Sequence, residues 1–393
     1  MNTFKRGTFF TLGTIFIFAL SMAMSVILIP LIADSLNFSA TVFGMLIAIP
    51  GAITLIFEIP LAAWSDRIGR KPILMGGIFS GVVGAVLLAW RIDAIPLILF
   101  AFANSFASVL FFPSILAYLS EVSRDGRLAQ VQGWNGFIQG LAFSVGAWMA
   151  GLLVSRFSFQ TALLTAALGF SLSLLLSLFI TETSNPLDVK GFELDELKRT
   201  YQAVVDLVKQ RKPIQLAVKV EVLYSILIVV LGNAFFPLYI TTTDLGSAAF
   251  AGNLVSVRNL SSTFVSLLYG RAVRTFGTIK PLFPMLFLTA LTFLFLPSSD
   301  GKVLWYALIL LQGMGVGFIP AAPNVLIADG TGKEERALGY ASVTVISRFM
   351  QIVFPPLFGA LADWAGLRTV FWAGGALVLA VILWASRNVK LTG

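Results

Sequence analysis

Ala62-Ala63-Trp64-Ser65-Asp66-Arg67-Ile68-Gly69-Arg70-Lys71 is the stretch from which the rest of the chain can be read. Four charges fall in its last six residues, and apolar runs at 39–62 and 72–91 flank it. A bilayer core about 30 Å thick is crossed by about 20 apolar residues in a helix. Each flanking run is therefore expected to cross a membrane, with the charged stretch as a short turn between two antiparallel helices. Gly69 supplies the backbone freedom of that turn. Arg67, Arg70 and Lys71 hold it against an anionic leaflet.

Runs of the same kind recur outward in both directions. They lie at 8–32, 39–62, 72–91, 95–119, 129–154 and 160–181, and then at 215–240, 247–271, 279–298, 302–327, 336–361 and 367–387. This predicts twelve spans. Lys5 and Arg6 precede the first run, which is too long for a cleaved signal and reads as a retained helix. Lysine and arginine sort by side: 21 fall at the ends expected on one face, and only Arg91, Arg156, Lys302 and Arg368 on the other. The positive-inside rule puts both termini and the central loop in the cytoplasm of a cell with an inner membrane. The predicted organisation is a six-helix bundle at 1–181, a cytoplasmic linker at 182–213 and a second bundle at 214–393. Within the linker, Phe192 to Gln210 mixes charges with apolar residues near helical spacing, as a surface-lying amphipathic helix would.

Composition narrows the function. Hydrophobic residues make up 58% of 393, charged residues 12%, and the mean hydropathy is +0.90. A soluble domain carries about 25% charged residues. The chain has no cysteine and no histidine, so thiol nucleophiles, imidazole bases and nitrogen- or sulfur-ligated metals are not expected. No cofactor is implied. There is no G-x-x-x-x-G-K-[ST] loop to cradle ATP phosphates. Gly313, Gly315 and Gly317 fall inside a predicted span and read as helix packing. The net charge of +8 belongs to membrane topology, so nucleic acid is not an expected partner. The partners are a small solute, protons and the lipid bilayer, and a solute path between two bundles needs only a monomer.

The halves repeat. Gly151-Leu-Leu-Val-Ser155-Arg-Phe-Ser-Phe-Gln160 and Gly359-Ala-Leu-Ala-Asp363-Trp-Ala-Gly-Leu-Arg368 both join the fifth and sixth spans of their half. Likewise Ala62 to Gly69 matches Gly270 to Gly277 in position and glycine spacing. Internal repeats of this kind put a solute site near the bilayer midplane where the halves meet. The stretch Ser65–Lys71 resembles G-x-x-x-D-[RK]-x-G-[RK]-[RK], the main signature of the major facilitator superfamily, with Ala62 in place of the first glycine. The resemblance extends over the whole chain through the twelve spans and the half-repeat. It implies an all-α membrane protein of two pseudo-symmetric six-helix bundles, and transport without ATP.

The resemblance also implies a conformational latch of Asp66, Arg67, Gly69, Arg70 and Lys71. In it Asp66 faces the eleventh helix, Arg70 pairs with Glu121 at the end of the fourth, and Asp329 is the second-half counterpart of Glu121. Arg274 stands where the second aspartate belongs. Two signatures of drug–proton antiport are altered: Ala101 replaces an arginine, and Gly146–Gly151 lacks its proline.

Deep charges are costly in a bilayer and point to function. Arg258 lies about 15 Å into the eighth span and Arg348 about 17 Å into the eleventh, at 1.5 Å per residue. Guanidinium suits carboxylate or phosphate, so both are candidate substrate contacts. Internal pairing, with Glu221 foremost, is the competing reading. Asn104, Gln139, Asn233 and Gln351 supply uncharged hydrogen-bonding groups. With histidine absent, Glu221 and Glu58 are the candidate proton-coupling carboxylates. The expected function is proton-coupled, alternating-access export of a small anionic or amphipathic organic solute. Uptake of an organic anion and lysolipid flipping stay open. A membrane enzyme would need clustered acids or a nucleophile, and none is apparent.

Overall fold

The computed structural model describes residues 2–123, 128–182, 202, 206–242, 246–299 and 301–388. Among these, twelve long helices follow one another. They are α1 (Asn2–Ser35), α2 (Ala40–Ile68), α3 (Arg70–Trp90), α4 (Ala94–Val122), α5 (Leu128–Arg156) and α6 (Phe159–Ser177). After the central segment come α7 (Lys212–Thr242), α8 (Ala248–Phe276), α9 (Ile279–Ser298), α10 (Lys302–Gly330), α11 (Lys333–Ala365) and α12 (Leu367–Asn388). Ten are long and apolar enough to cross a membrane; α8, with Arg258, Arg271 and Arg274, is not among them, and the apolar part of α12, Leu367–Leu383, is shorter. Most of the expected amphipathic helix at 192–210 lies outside the described residues. Residues 206–210 are helical, and Leu207 among them is buried.

Side chains close several helix ends. Asp93 accepts from the Ala94 amide at 2.7 Å and starts α4. Ser158 accepts from the Thr161 amide at 3.1 Å and starts α6. Both satisfy amide donors that a helix leaves unpaired in its first turn. Two long helices are irregular. Ser225–Phe235 of α7 is a π-helix, and a 3₁₀ turn at Ile319–Ala321 interrupts α10. Such irregular backbone is tolerated at membrane depth only where protein covers it.

The chain forms two compact units. The first comprises Met1–Phe38, Ile49–Phe192 and Ile240–Ser256; the second comprises Ser39–Ala48, Glu193–Tyr239 and Val257–Gly393. In the first, α1 packs on α5 and α6, and α3 on α4 and α6. Its core is aromatic: Phe18 stacks on Phe111 at 3.6 Å and meets Phe170 edge-on at 5.5 Å, with Ile15, Leu74 and Ile78 around them. In the second unit, α9 packs on α10 and α12, and α7 on α10 and α11. Trp305 is buried there, stacks on Tyr239 at 6.0 Å, and donates its indole N–H to the Ser299 carbonyl at 3.1 Å.

Small residues set the helix spacing. A Cβ on Gly313 or Gly317 of α10 would overlap the Arg258 or Ser262 carbonyl of α8. Without a hydrophobic drive between helices in lipid, such close backbone approach supplies much of the cohesion. Gly146 of α5 lies against the Leu20 carbonyl of α1 in the same way, whereas Gly133 has nothing within 4 Å. Gly146→Leu is expected to lower stability by about 1–3 kcal/mol through overpacking, read as a fall in melting temperature in detergent. Gly133→Leu should melt like wild type; equal losses in both variants would remove the packing explanation.

Candidate functional site

The turn between α2 and α3 is built from its backbone outward. Gly69 sits at φ 113°, a left-handed conformation that side-chain-bearing residues rarely adopt. That geometry turns the first amides of α3 toward Glu182, just beyond α6. Glu182 accepts from the Arg70 amide at 3.0 Å with one oxygen and from the Lys71 amide at 2.9 Å with the other. A carboxylate at a helix start satisfies orphan donors and opposes the helix dipole. A Cβ on Gly69 would lie 2.5 Å from the same carboxylate, a second reason for glycine here. The Arg70 side chain donates from Nε to Glu121 at 3.0 Å and from Nη1 to Ser65 at 3.1 Å. Lys71 Nζ donates to the Leu178 carbonyl at 2.7 Å. The turn is thus tied to the ends of α4 and α6. The side chain of Asp66 lies outside the described residues. Arg67 is half-buried, and Asp329 is exposed at the end of α10.

The second polar cluster lies in the second unit, where α7 and α11 come together. Helix α7 begins at Lys212, so Glu221 lies about 14 Å inside it. Its carboxylate accepts from the Ser347 hydroxyl of α11 at 2.9 Å. Gln351 Nε2 donates to the same Ser347 oxygen at 3.1 Å, and Arg348 Nη1 donates to Gln351 Oε1 at 3.3 Å. Ser225 and Ser347 hydroxyls are 3.2 Å apart. A hydroxyl carries one proton, so with Ser347 donating to Glu221, Ser225 is the donor to Ser347. Arg348 is half-buried and within charge range of Glu221.

Arg258 has other partners. It is 3% exposed, donates from Nη1 to the Gly232 carbonyl at 2.6 Å and from Nη2 to Asn233 Oδ1 at 2.5 Å. Both acceptors lie in the π-helical stretch of α7. Widening the turn displaces carbonyls from the regular ladder, and a guanidinium with several donors is suited to collect them. Arg258 therefore joins α8 to α7.

The remaining candidates are spread out. Gln139 donates to Asn135 at 2.8 Å, one turn away on α5. Asn104 is buried on α4 with its side-chain oxygen unpaired, as are both polar atoms of Gln312 on α10. Glu58 is half-buried on α2. Among the described residues, no group of three or more carboxylates is placed to hold a metal ion. Sequence reading passed over Glu182, Ser347 and Gln312. Glu182 and Ser347 carry no motif and acquire meaning only through partners more than a hundred residues away.

The major facilitator superfamily model matches residues 11–242 and, in a second match, 222–391. The chain belongs to the major facilitator superfamily. Its members are transporters rather than enzymes, and the chain is a multi-pass membrane protein and a secondary transporter. The inner membrane transport protein YajR of Escherichia coli strain K12 is 23% identical over 147 residues, covering 37% of this chain and 32% of YajR. The magnetosome protein MamH of Paramagnetospirillum magneticum strain AMB-1 is 24% identical, over 94% of this chain and 89% of MamH. A crystal structure of the nucleoside transporter NupG superposes with a TM-score of 0.77 at 16% identity, covering 100% of both chains. At that identity the likeness carries the superfamily fold and nothing about solute.

Glu182→Gln removes the charged cap of α3 and is expected to cost about 1 kcal/mol, seen as a lower melting temperature. Gly69→Ala is expected to lose at least as much. A Glu182→Gln protein with wild-type stability would mean the carboxylate does not hold the turn.

Proposed function

We propose that this transporter exports a small anionic or amphipathic organic solute across the inner membrane by alternating access, coupled to protons, with both termini in the cytoplasm. The observation that carries the reading is the continuous hydrogen-bonded line Arg348–Gln351–Ser347–Glu221. An anion drawn to Arg348 competes with Gln351 for the guanidinium. A freed Gln351 then loosens its hold on Ser347, and the bond from Ser347 to Glu221 changes with it. Solute and proton are coupled through two intervening side chains. Protonated Glu221 can donate instead of accept, which reverses the Ser347 hydroxyl and sends the signal back toward Arg348.

In this reading Arg348 and Gln351 contact solute, Glu221 carries the coupling proton, and Arg258 with Asn233 shapes the adjoining wall. Asn104 and Gln139 add uncharged groups from the first repeat, and Glu58 is a second proton carrier. The turn at Asp66–Lys71, with Glu121 and Asp329, acts as the latch at the cytoplasmic ends. The lysine and arginine bias supports the orientation, and the name of YajR, an inner membrane transport protein, supports the location.

Counterflow in liposomes tests the proposal, using matched aromatic carboxylates and aromatic ammonium ions with and without an imposed pH gradient. Carboxylate flux should respond to the gradient and fall at least about tenfold in Arg348→Ala, the scale of a lost charge-assisted hydrogen bond. Glu221→Gln should keep exchange at equal pH but lose the response to the gradient. Ammonium flux unchanged by Arg348→Ala would overturn the anion reading, and a coupled Glu221→Gln would overturn the proton assignment.

A further inference from the structure

Two helix junctions, one in each unit, are copies of each other. In the second unit the start of α2 lies against the end of α11; in the first unit the start of α8 lies against the end of α5. Corresponding residues are 208 positions apart throughout: Ala40 and Ala248, Gly44 and Gly252, Ala147 and Pro355, Gly151 and Gly359, Ser155 and Asp363. The close contacts also correspond. A Cβ on Gly359 would overlap the Ala40 carbonyl, and one on Gly151 the Ala248 carbonyl. A Cβ on Gly44 would overlap the Pro355 carbonyl, and one on Gly252 the Ala147 carbonyl. Both junctions therefore bring backbone against backbone, although Phe43 and Pro355 of one stand where the other has Ala251 and Ala147.

They differ at the cap. Ser155 accepts a hydrogen bond from the Ala249 amide at 2.7 Å. Asp363 accepts from the Ala40 amide at 2.8 Å, the Thr41 amide at 2.9 Å and the Thr41 hydroxyl at 2.5 Å. The Ser39 hydroxyl faces the same carboxylate. Thr41 is the counterpart of Ala249, so the second junction has both a stronger acceptor and an extra donor. An aspartate is ionised near neutral pH, and bonds to an ionised acceptor are about twice as strong as neutral ones. The Asp363 cap sits at the start of α2, the opposite end of that helix from the Asp66–Lys71 turn. No charged side chain forms an ion pair with Asp363 among the described residues, so its hold on the start of α2 rests on hydrogen bonds.

We propose that Asp363 is a positioning residue that makes transport-linked opening asymmetric: the α5–α8 junction parts first, while the α2–α11 junction stays closed as the pivot. The inference rests on the alternating-access reading and adds to it an order of events. It assigns to the Ser155 side the first opening through which solute reaches or leaves the path.

The absence of native cysteine allows a direct test. Phe43 and Ala251 are counterparts, 1% and 0% exposed, on α2 and α8 at the two junctions. Phe43→Cys and Ala251→Cys are each exposed to a membrane-impermeant maleimide in liposomes, with rates normalised to the denatured protein. The α8 cysteine should react about tenfold faster than the α2 cysteine, the scale of one charge-assisted hydrogen bond. Adding Asp363→Ser should speed labelling on α2 and erase the ratio, leaving the rate on α8 unchanged. Adding Ser155→Asp, which strengthens the other cap, should slow labelling on α8 alone. A general loss of stability would raise both rates together and would overturn the assignment. Equal rates in the parent chain would overturn the asymmetry while leaving alternating access in place. No labelling at either position would overturn alternating access, and the proposal with it.

Discussion

A backbone amide or carbonyl left without a partner is costly, most of all in hydrocarbon, and the local features of this transporter follow from avoiding that cost. Helix interiors satisfy themselves, so the pressure falls on the ends and on the irregular stretches. Glu182 closes the start of α3, Asp93 that of α4, Ser158 that of α6, and Asp363 that of α2. Where α7 widens into a π-helix, Arg258 takes up the Gly232 carbonyl. Of these, Glu182 and Asp363 reach across to distant helices and Arg258 to the preceding one, so the groups that satisfy the backbone also tie helices to one another.

The two units differ in the charge they bury rather than in aromatic packing. The first unit buries a stacked aromatic core around Phe18, Phe111 and Phe170, which has one packed arrangement and resists rearrangement. The second unit holds Glu221, Arg258 and Arg348 at depth, and its hydrogen bonds pass from one side chain to the next. A hydroxyl such as that of Ser347 can accept as well as donate, so a line of this kind can reverse its donors.

Much of the fold was legible in the sequence because helix length and bilayer thickness are matched quantities. The span read at 279–298 coincides with α9, and the one at 302–327 stops three residues short of the end of α10. The ends of α2 and α11 were less legible, since both helices run past the hydrocarbon into charged residues that hydropathy reads as loop. Arg258 and Arg348 stood out because charge at depth is rare. Glu221, expected as their internal partner, lies within charge range of Arg348, but Arg258 is held by Gly232 and Asn233, because the π-helix that offers the carbonyl has no hydropathy signal. Asp363 and Ser155 stood side by side in the repeat comparison, yet the consequence of that difference appears only when α2 and α8 are in place beside them.

In the proposed mechanism an anion is recognised by Arg348, while Arg258 serves the protein's own backbone. Ligand-dependent melting of the purified protein separates the two roles, with aromatic carboxylates titrated against wild type, Arg348→Ala and Arg258→Lys. Carboxylate should raise the melting temperature of wild type and leave that of Arg348→Ala unmoved. Arg258→Lys should melt lower without ligand but still gain from it. Equal carboxylate stabilisation of Arg348→Ala and wild type would rule out anion recognition by Arg348.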